Sequence, residues 1–128
     1  IRSWCEAQPF IISEFSNSPA EQSEETCNNF YRGLSRAKFT ICPPGNGPDT
    51  YRVWEALYLN CIPIVINCPL YQSFCNNLPI LCVNSFEEVT EKLLYETYEK
   101  YINQTWNYDP LRLSYYNKLI EKAIESLC

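Results

Sequence analysis

Apolar positions along this chain follow two periods, and the change from one to the other marks its elements. Residues 9–13 (PFIIS) read as a short strand. Ser18-Pro19-Ala20-Glu21 reads as a helix start: a capping hydroxyl, proline at the first helical position, and a glutamate placed to return the capping bond. Cys27, Phe30, Tyr31 and Leu34 follow at i, i+3, i+4, i+7, predicting one buried stripe on a helix that runs to about Arg36 and is slightly weakened by Gly33. Residues 38–42 (KFTIC) predict a strand. Residues 43–49 predict a loop, because three prolines and two glycines extend neither ladder nor helix. Asp49 is placed to cap a helix over 50–60. The run 62–67 (IPIVIN) is almost continuously apolar, as in a parallel strand covered on both faces, with Pro63 near its start. A loop over 68–77 leads to a strand at 79–83. Ser85-Phe86-Glu87-Glu88 then repeats the capping-box pattern and opens a helix to about Tyr101. Asp109-Pro110 starts a last helix, in which Tyr116, Leu119, Ile120, Ala123, Ile124 and Leu127 keep helical spacing.

Strands alternating with helices in this order predict an α/β fold, with right-handed crossovers on a parallel sheet and helices on both faces. Ligands bind such sheets outside the carboxyl ends of the strands. Those ends fall at 42–47, 67–69 and 83–85, so the proline- and glycine-rich loop lies where a ligand would lie.

Composition narrows the function classes. The 128 residues suit one domain able to bury roughly two thirds of its unfolded surface. No low-complexity tract or internal repeat interrupts them. A net charge of -5 and a pI near 4.7 argue against a nucleic-acid partner, which needs a broad basic face. Yet Arg32, Arg36, Lys38 and Arg52 cluster between Thr26 and Trp54 against one acid, Asp49. That basic island is either a solvated helix face or a partner for an anion. Residues 56–86 carry no formal charge and should be the interior. No stretch reaches the ~18 apolar residues of a membrane span. The chain begins at Ile1, contains no methionine and shows no leader, so a fragment of a longer chain is expected.

Eight cysteines form no CxxC pair, and no histidine accompanies them, so no metal site is expected. Cys42, Cys61 and Cys82 lie in or beside apolar strands and read as small buried hydrophobes. Cys68 and Cys75 bracket a short loop and are candidates for a bridge in an oxidising compartment. Asn103-Gln104-Thr105 is a glycosylation sequon if the chain is secreted.

The segment CPPGNGPDTYRVWEAL, residues 42–57, carries the candidate chemistry. Gly45 and Gly47 let a backbone approach a ligand, and the helix that follows presents free N–H groups and a positive dipole end, a combination suited to phosphate. Arg52 offers a bidentate contact to a diphosphate, and Glu55 can accept hydrogen bonds from ribose hydroxyls. The alternative is an i, i+3 surface pair of Arg52 and Glu55 beside an ordinary Gly45-Asn46-Gly47 turn. Neither a G-x-x-x-x-G-K-[ST] loop nor a dinucleotide fingerprint is present. Without histidine, any general base is Asp or Glu.

Residues 35–65, SRAKFTICPPGNGPDTYRVWEALYLNCIPIV, resemble the donor-binding part of exostosin-like glycosyltransferases and their algal, microbial and large-virus relatives, where R-x-W-E-A-L and C-I-P-I-V follow a P-x-G loop in this order. Residues 78–94 fit more loosely. Asn60 stands where the family often has glycine, and asparagine also tolerates the left-handed conformation of a helix end. The resemblance implies that residues 1–128 are the Rossmann-like second half of a GT-B enzyme, binding a UDP- or GDP-sugar without a metal. It implies that Arg52 and Glu55 are the catalytic pair and that Lys38, Pro44, Gly45, Asn46, Gly47, Asp49 and Tyr51 complete the donor site. The sugar would pass to a glycan or glycoprotein acceptor held by a separate N-terminal domain. For location it implies the Golgi lumen in a cellular enzyme and the host cytoplasm in a viral one. A nucleotide- or glycan-binding module without catalysis is the competing expectation.

Overall fold

A computed structural model of the chain describes residues 2–12 and 23–127. Three parallel strands, β1 (Phe39–Ile41), β2 (Ile62–Ile66) and β3 (Leu81–Val83), lie in the order β1-β2-β3. Between them run α3 (Tyr51–Tyr58) and α4 (Pro69–Phe74); α1 (Arg2–Glu6) and α2 (Glu24–Arg36) precede, and α5 (Glu91–Ile102) and α6 (Leu113–Leu127) follow. The architecture is the expected mixed α/β one, a Rossmann-like parallel sheet.

Period-two alternation along the strands divides the core between two faces. Cys42 and Val65 turn to one face, where Val53 and Leu57 of α3, Tyr71 of α4, and Leu78 and Ile80 cover them. Ile62, Ile64, Leu81 and Val83 turn to the other, under Phe86, Val89, and Leu93, Leu94 and Tyr98 of α5. Helices thus cover both faces. The register pairs Phe39 with Ile62 and Ile64 with Leu81. Ile62 N–H donates to the Lys38 carbonyl, so the adjacent Pro63 turns its missing N–H toward β3, one residue before that pairing begins. This explains how proline sits in a central strand.

The end of α3 bears out the expectation that Asn60, standing where the family often has glycine, takes the left-handed conformation. Asn60 has φ 57°, Cys61 N–H donates to the Ala56 carbonyl at 2.9 Å and Asn60 N–H to the Leu57 carbonyl at 3.3 Å. These are the paired bonds of a helix stop with a left-handed residue after its cap.

Elsewhere the periodicity misled. Residues 9–12 form no strand: Pro9 and Phe10 lie in a turn, and Phe10, like Trp4 of α1, packs on the β2–β3 face. A short apolar run alone does not separate a strand from a plug. The Ser18–Glu21 start lies outside the described residues; among those described, α2 begins at Glu24 and is capped by Ser23, whose Oγ accepts from Thr26 N–H at 3.1 Å. Its stripe is not buried, for only Leu34 reaches the core. Residues 68–77 are not all loop, since Pro69 at a first helical position opens α4. The second capping pattern splits: Ser85 caps a 3-10 turn, Phe86–Glu88, and Thr90 caps α5. Asp109 and Pro110 likewise form a 3-10 turn before α6, and no residue of α6 is buried. Among the described residues no helix is long and apolar enough to cross a membrane.

Candidate functional site

The loop over 43–50 leaves the carboxyl end of β1, where Cys42 N–H still donates to the Ile64 carbonyl at 2.9 Å. Tyr71 of α4 pins the loop from below by donating its hydroxyl to the Pro48 carbonyl at 2.7 Å. Gly45 N–H turns back onto the Gly47 carbonyl at 3.0 Å. Asp49 does not cap α3, contrary to the sequence expectation. The cap position falls one residue later, at Thr50, and the Asp49 carboxylate instead accepts from Trp54 Nε1 at 2.8 Å. Thr50 makes no capping bond, and its Oγ1 is buried without a partner. The amino end of α3 therefore has no side-chain cap, and uncapped first-turn N–H groups are the kind that suit an anion.

Arg52 and Glu55 turn toward α2. The Arg52 guanidinium lies 5.6 Å from the Phe30 ring, and Glu55, half-buried, accepts from the Tyr31 hydroxyl at 2.9 Å. Phe30 and Tyr31 meet edge to face at 5.3 Å. The stripe expected to enter the core thus supports the two charged side chains. Among the described residues the ion pairs are Lys92–Glu96 and Arg112–Asp109, so the alternative Arg52–Glu55 surface pair does not form. Glu55 raises the pKa of Tyr31, first through their hydrogen bond and then through its charge. Below the loop, burial pushes the Cys42 thiol up to about 12, with Arg52 opposing the shift. Cys42 is a neutral packing group at ordinary pH, not a nucleophile.

A pocket of about 80 Å³ opens at this edge, lined by Cys42, Pro44, Pro48, Ile66, Cys68 and Tyr71. Enclosed ligand sites usually span roughly 300–1,000 Å³. This one is a floor on which a ligand could rest. A second hollow of about 210 Å³, lined by Trp54, Tyr58, Pro110, Leu111 and Tyr116, lies where α3 meets the start of α6. At the carboxyl ends of β2 and β3, Gln72 donates to Asn67 Oδ1 at 3.0 Å, and Asn67 and Asn84 meet at 3.5 Å.

Pro44, Gly45, Asn46, Gly47, Asp49, Tyr51, Arg52 and Glu55 thus share one segment at one end of the sheet, with Tyr51 largely exposed. Lys38 does not join them. It precedes β1 at the opposite end, with Nζ 4.2 Å from the centre of the Tyr98 ring. The strand direction separates it from the loop. Neither loop glycine has a positive φ, and a side chain at Gly47 would meet nothing within 4 Å. Their backbone conformations do not require glycine; the open space beside Gly47 is what its missing side chain provides. Sequence spacing does not point to Phe30, Tyr31 and Tyr71 as site residues: Tyr71 falls in a segment with loop character, and the aromatic pair has the spacing of a core stripe.

Fold and site together define an α/β domain with an uncapped helix start at the carboxyl edge of its sheet. Residues 1–80 match the Exostosin GT47 domain, and the chain belongs to that family. The matched region includes the loop, α3, β2 and α4. Over 105 residues the chain is 29% identical to "Probable glucuronosyltransferase 47 A" of Physcomitrium patens, covering 67% of this chain and 23% of the relative. Over 74 residues it is 30% identical both to a "Probable beta-1,4-xylosyltransferase" of Arabidopsis thaliana and to a "Probable glucuronosyltransferase" of Oryza sativa subsp. japonica, covering 57% of this chain and 18% of each relative. The chain spans about a fifth of the length of the curated relatives it matches.

Proposed function

We propose that this chain is the donor-binding part of a glycosyltransferase, holding a nucleoside-diphosphate sugar against the loop 43–50 and the amino end of α3. The observation that carries the reading is the uncapped start of α3 with Arg52 in its first turn, outside any ion pair among the described residues. The diphosphate would accept from the first-turn N–H groups and from the Arg52 guanidinium. Both stabilise the negative charge that grows on the diphosphate as the glycosidic bond to the sugar breaks. No metal is needed for that task in this reading.

Glu55 receives the hydroxyls of the ribose or of the donor sugar. Its hydrogen bond from Tyr31 fixes one carboxylate oxygen and leaves the other to accept from the ligand. Membership of the Exostosin GT47 family and the transferase names of the relatives support the assignment to sugar transfer. The small volume of the pocket supports a second surface closing over the donor, in keeping with a two-domain GT-B arrangement in which an N-terminal domain holds a glycan or glycoprotein acceptor.

Calorimetric titration with UDP, GDP and their sugar conjugates tests this. The expected outcome is saturable binding of one nucleotide class, weakened in Arg52→Ala, with little transfer by this chain alone. Binding of none of them, or binding indifferent to Arg52, would overturn the reading. Binding that never leads to transfer, even with the acceptor domain joined, would identify a non-catalytic module.

A further inference from the structure

Three cysteines lie around α4, and the structure distinguishes among them. Cys75 follows the helix as its cap, and Cys82 is the middle residue of β3, paired with Val65 of β2. Their Sγ atoms are 2.8 Å apart, both side chains are half-buried, and both pack on the core beneath α3 and α4. The backbone fixes this proximity. Cys75 N–H donates to the Tyr71 carbonyl, and Asn77 and Leu78 N–H both donate to the Phe74 carbonyl, each at 2.9 Å, while the ladder holds Cys82. A disulfide needs about 2.0 Å between sulfurs, so less than an ångström of closure separates the thiols from a bond.

We infer that Cys75 and Cys82 are a disulfide-forming pair, oxidised by thiol–disulfide exchange with a low-molecular-weight or protein disulfide. The Cys75 thiolate attacks one sulfur of the oxidant, whose S–S bond breaks, and the departing thiolate takes up a proton. Cys82 then loses its proton and attacks Cys75 Sγ, and the second oxidant sulfur leaves as a thiol. Two electrons and two protons pass to the oxidant, and one S–S bond forms in the chain. Either sulfur can donate in this contact; with Cys82 as the donor, the bond holds Cys75 below its ordinary pKa, pushes Cys82 up and makes Cys75 the attacking thiolate.

The other thiols fit this chemistry less well. Burial pushes Cys42 and Cys61 up to about 12, and Cys27 is exposed with no sulfur contact among the described residues. Cys68, which the sequence suggested as a partner of Cys75, makes no comparable contact among the described residues. No group of three or more metal-holding side chains occurs among the described residues, so the cysteines around α4 are not a metal cluster. The bond would tie α4 to β3. Because Tyr71 of α4 holds Pro48, it would brace the loop 43–50 from below, a consequence independent of what that loop binds.

The test uses the whole chain in mixtures of oxidised and reduced glutathione, quenched with acid, alkylated and mapped by mass spectrometry. The expected result is loss of two hydrogens and a cross-linked peptide joining Cys75 to Cys82. It should form equally in Cys68→Ser and be lost in Cys75→Ser and in Cys82→Ser, and oxidation should raise the thermal midpoint by about 5 °C or more. If both thiols of the unsubstituted chain alkylate under conditions that oxidise a control dithiol, or if the mapped bond contains Cys68, the inference fails. The mapping needs no variant, so a substitution that prevents folding leaves the test intact.

Discussion

The connection from β1 to α3 and the one from β3 to α5 leave the same edge of the sheet, yet they treat their polar groups in opposite ways. After β3 the chain satisfies itself: Asn84 N–H donates to Glu88 Oε2, Ser85 Oγ accepts from Glu87 N–H, and Thr90 Oγ1 accepts from Leu93 N–H. After β1 it does not. Thr50 holds the cap position without capping, its hydroxyl is buried without a partner, and Asp49 bonds a tryptophan. An end closed by its own side chains offers a ligand little. One left uncapped costs stability unless something else completes it, and in the proposed function the donor diphosphate is what completes it.

Arg52→Ala should give the largest effect. Loss of a charge-assisted contact worth about 1.5–3 kcal/mol weakens nucleotide binding roughly 10- to 100-fold. Urea unfolding should change by under about 0.5 kcal/mol, since Arg52 is exposed. The two caps sharpen the contrast. Thr90→Ala should lower stability by about 1 kcal/mol, whereas Thr50→Ala, which removes an unpaired hydroxyl and no capping bond, should cost less than about half of that or stabilise. Equal losses in denaturant melts would erase the difference between the two connections. Tyr71→Phe removes one part-buried bond to Pro48 and should cost about 1 kcal/mol while weakening nucleotide binding by loosening the loop.

Alkaline pH probes the base of the loop. Burial raises Cys42 and Cys61 from 9.0 to about 12 and Tyr71 from 10.0 to about 12. Each is neutral when protonated, and the fold retains protons that the unfolded chain has released. Stability from these groups is therefore complete below about pH 9 and falls as pH rises toward 12. Denaturant melts between pH 8 and pH 11 should show that decline, and a flat profile would contradict the burial of these groups.

Much of this contrast was legible in the sequence. The run at 62–67, the loop after β1 and the placement of Arg52 and Glu55 on the following helix emerged from local chemistry, and Asn60 as a left-handed helix end from the family resemblance. What escaped was tertiary. The Cys27, Phe30, Tyr31, Leu34 stripe has core spacing, but spacing names the apolar side of a helix without naming what covers it. The same holds for α6, where Ile120, Ile124 and Leu127 keep their period and stay exposed. Lys38 sits next to β1 in sequence, and only the strand direction shows it to be at the far end from the loop. Asp49 suits a cap by residue type and misses by one position.

The most direct measurement is a backbone amide NMR titration with UDP- and GDP-sugars. The account predicts saturable shifts centred on Gly45, Asn46, Gly47 and α3 from its first turn to Glu55, with the resonances of Asn84 to Thr90 unmoved. Shifts centred on the turn after β3, or none at either connection, would contradict it.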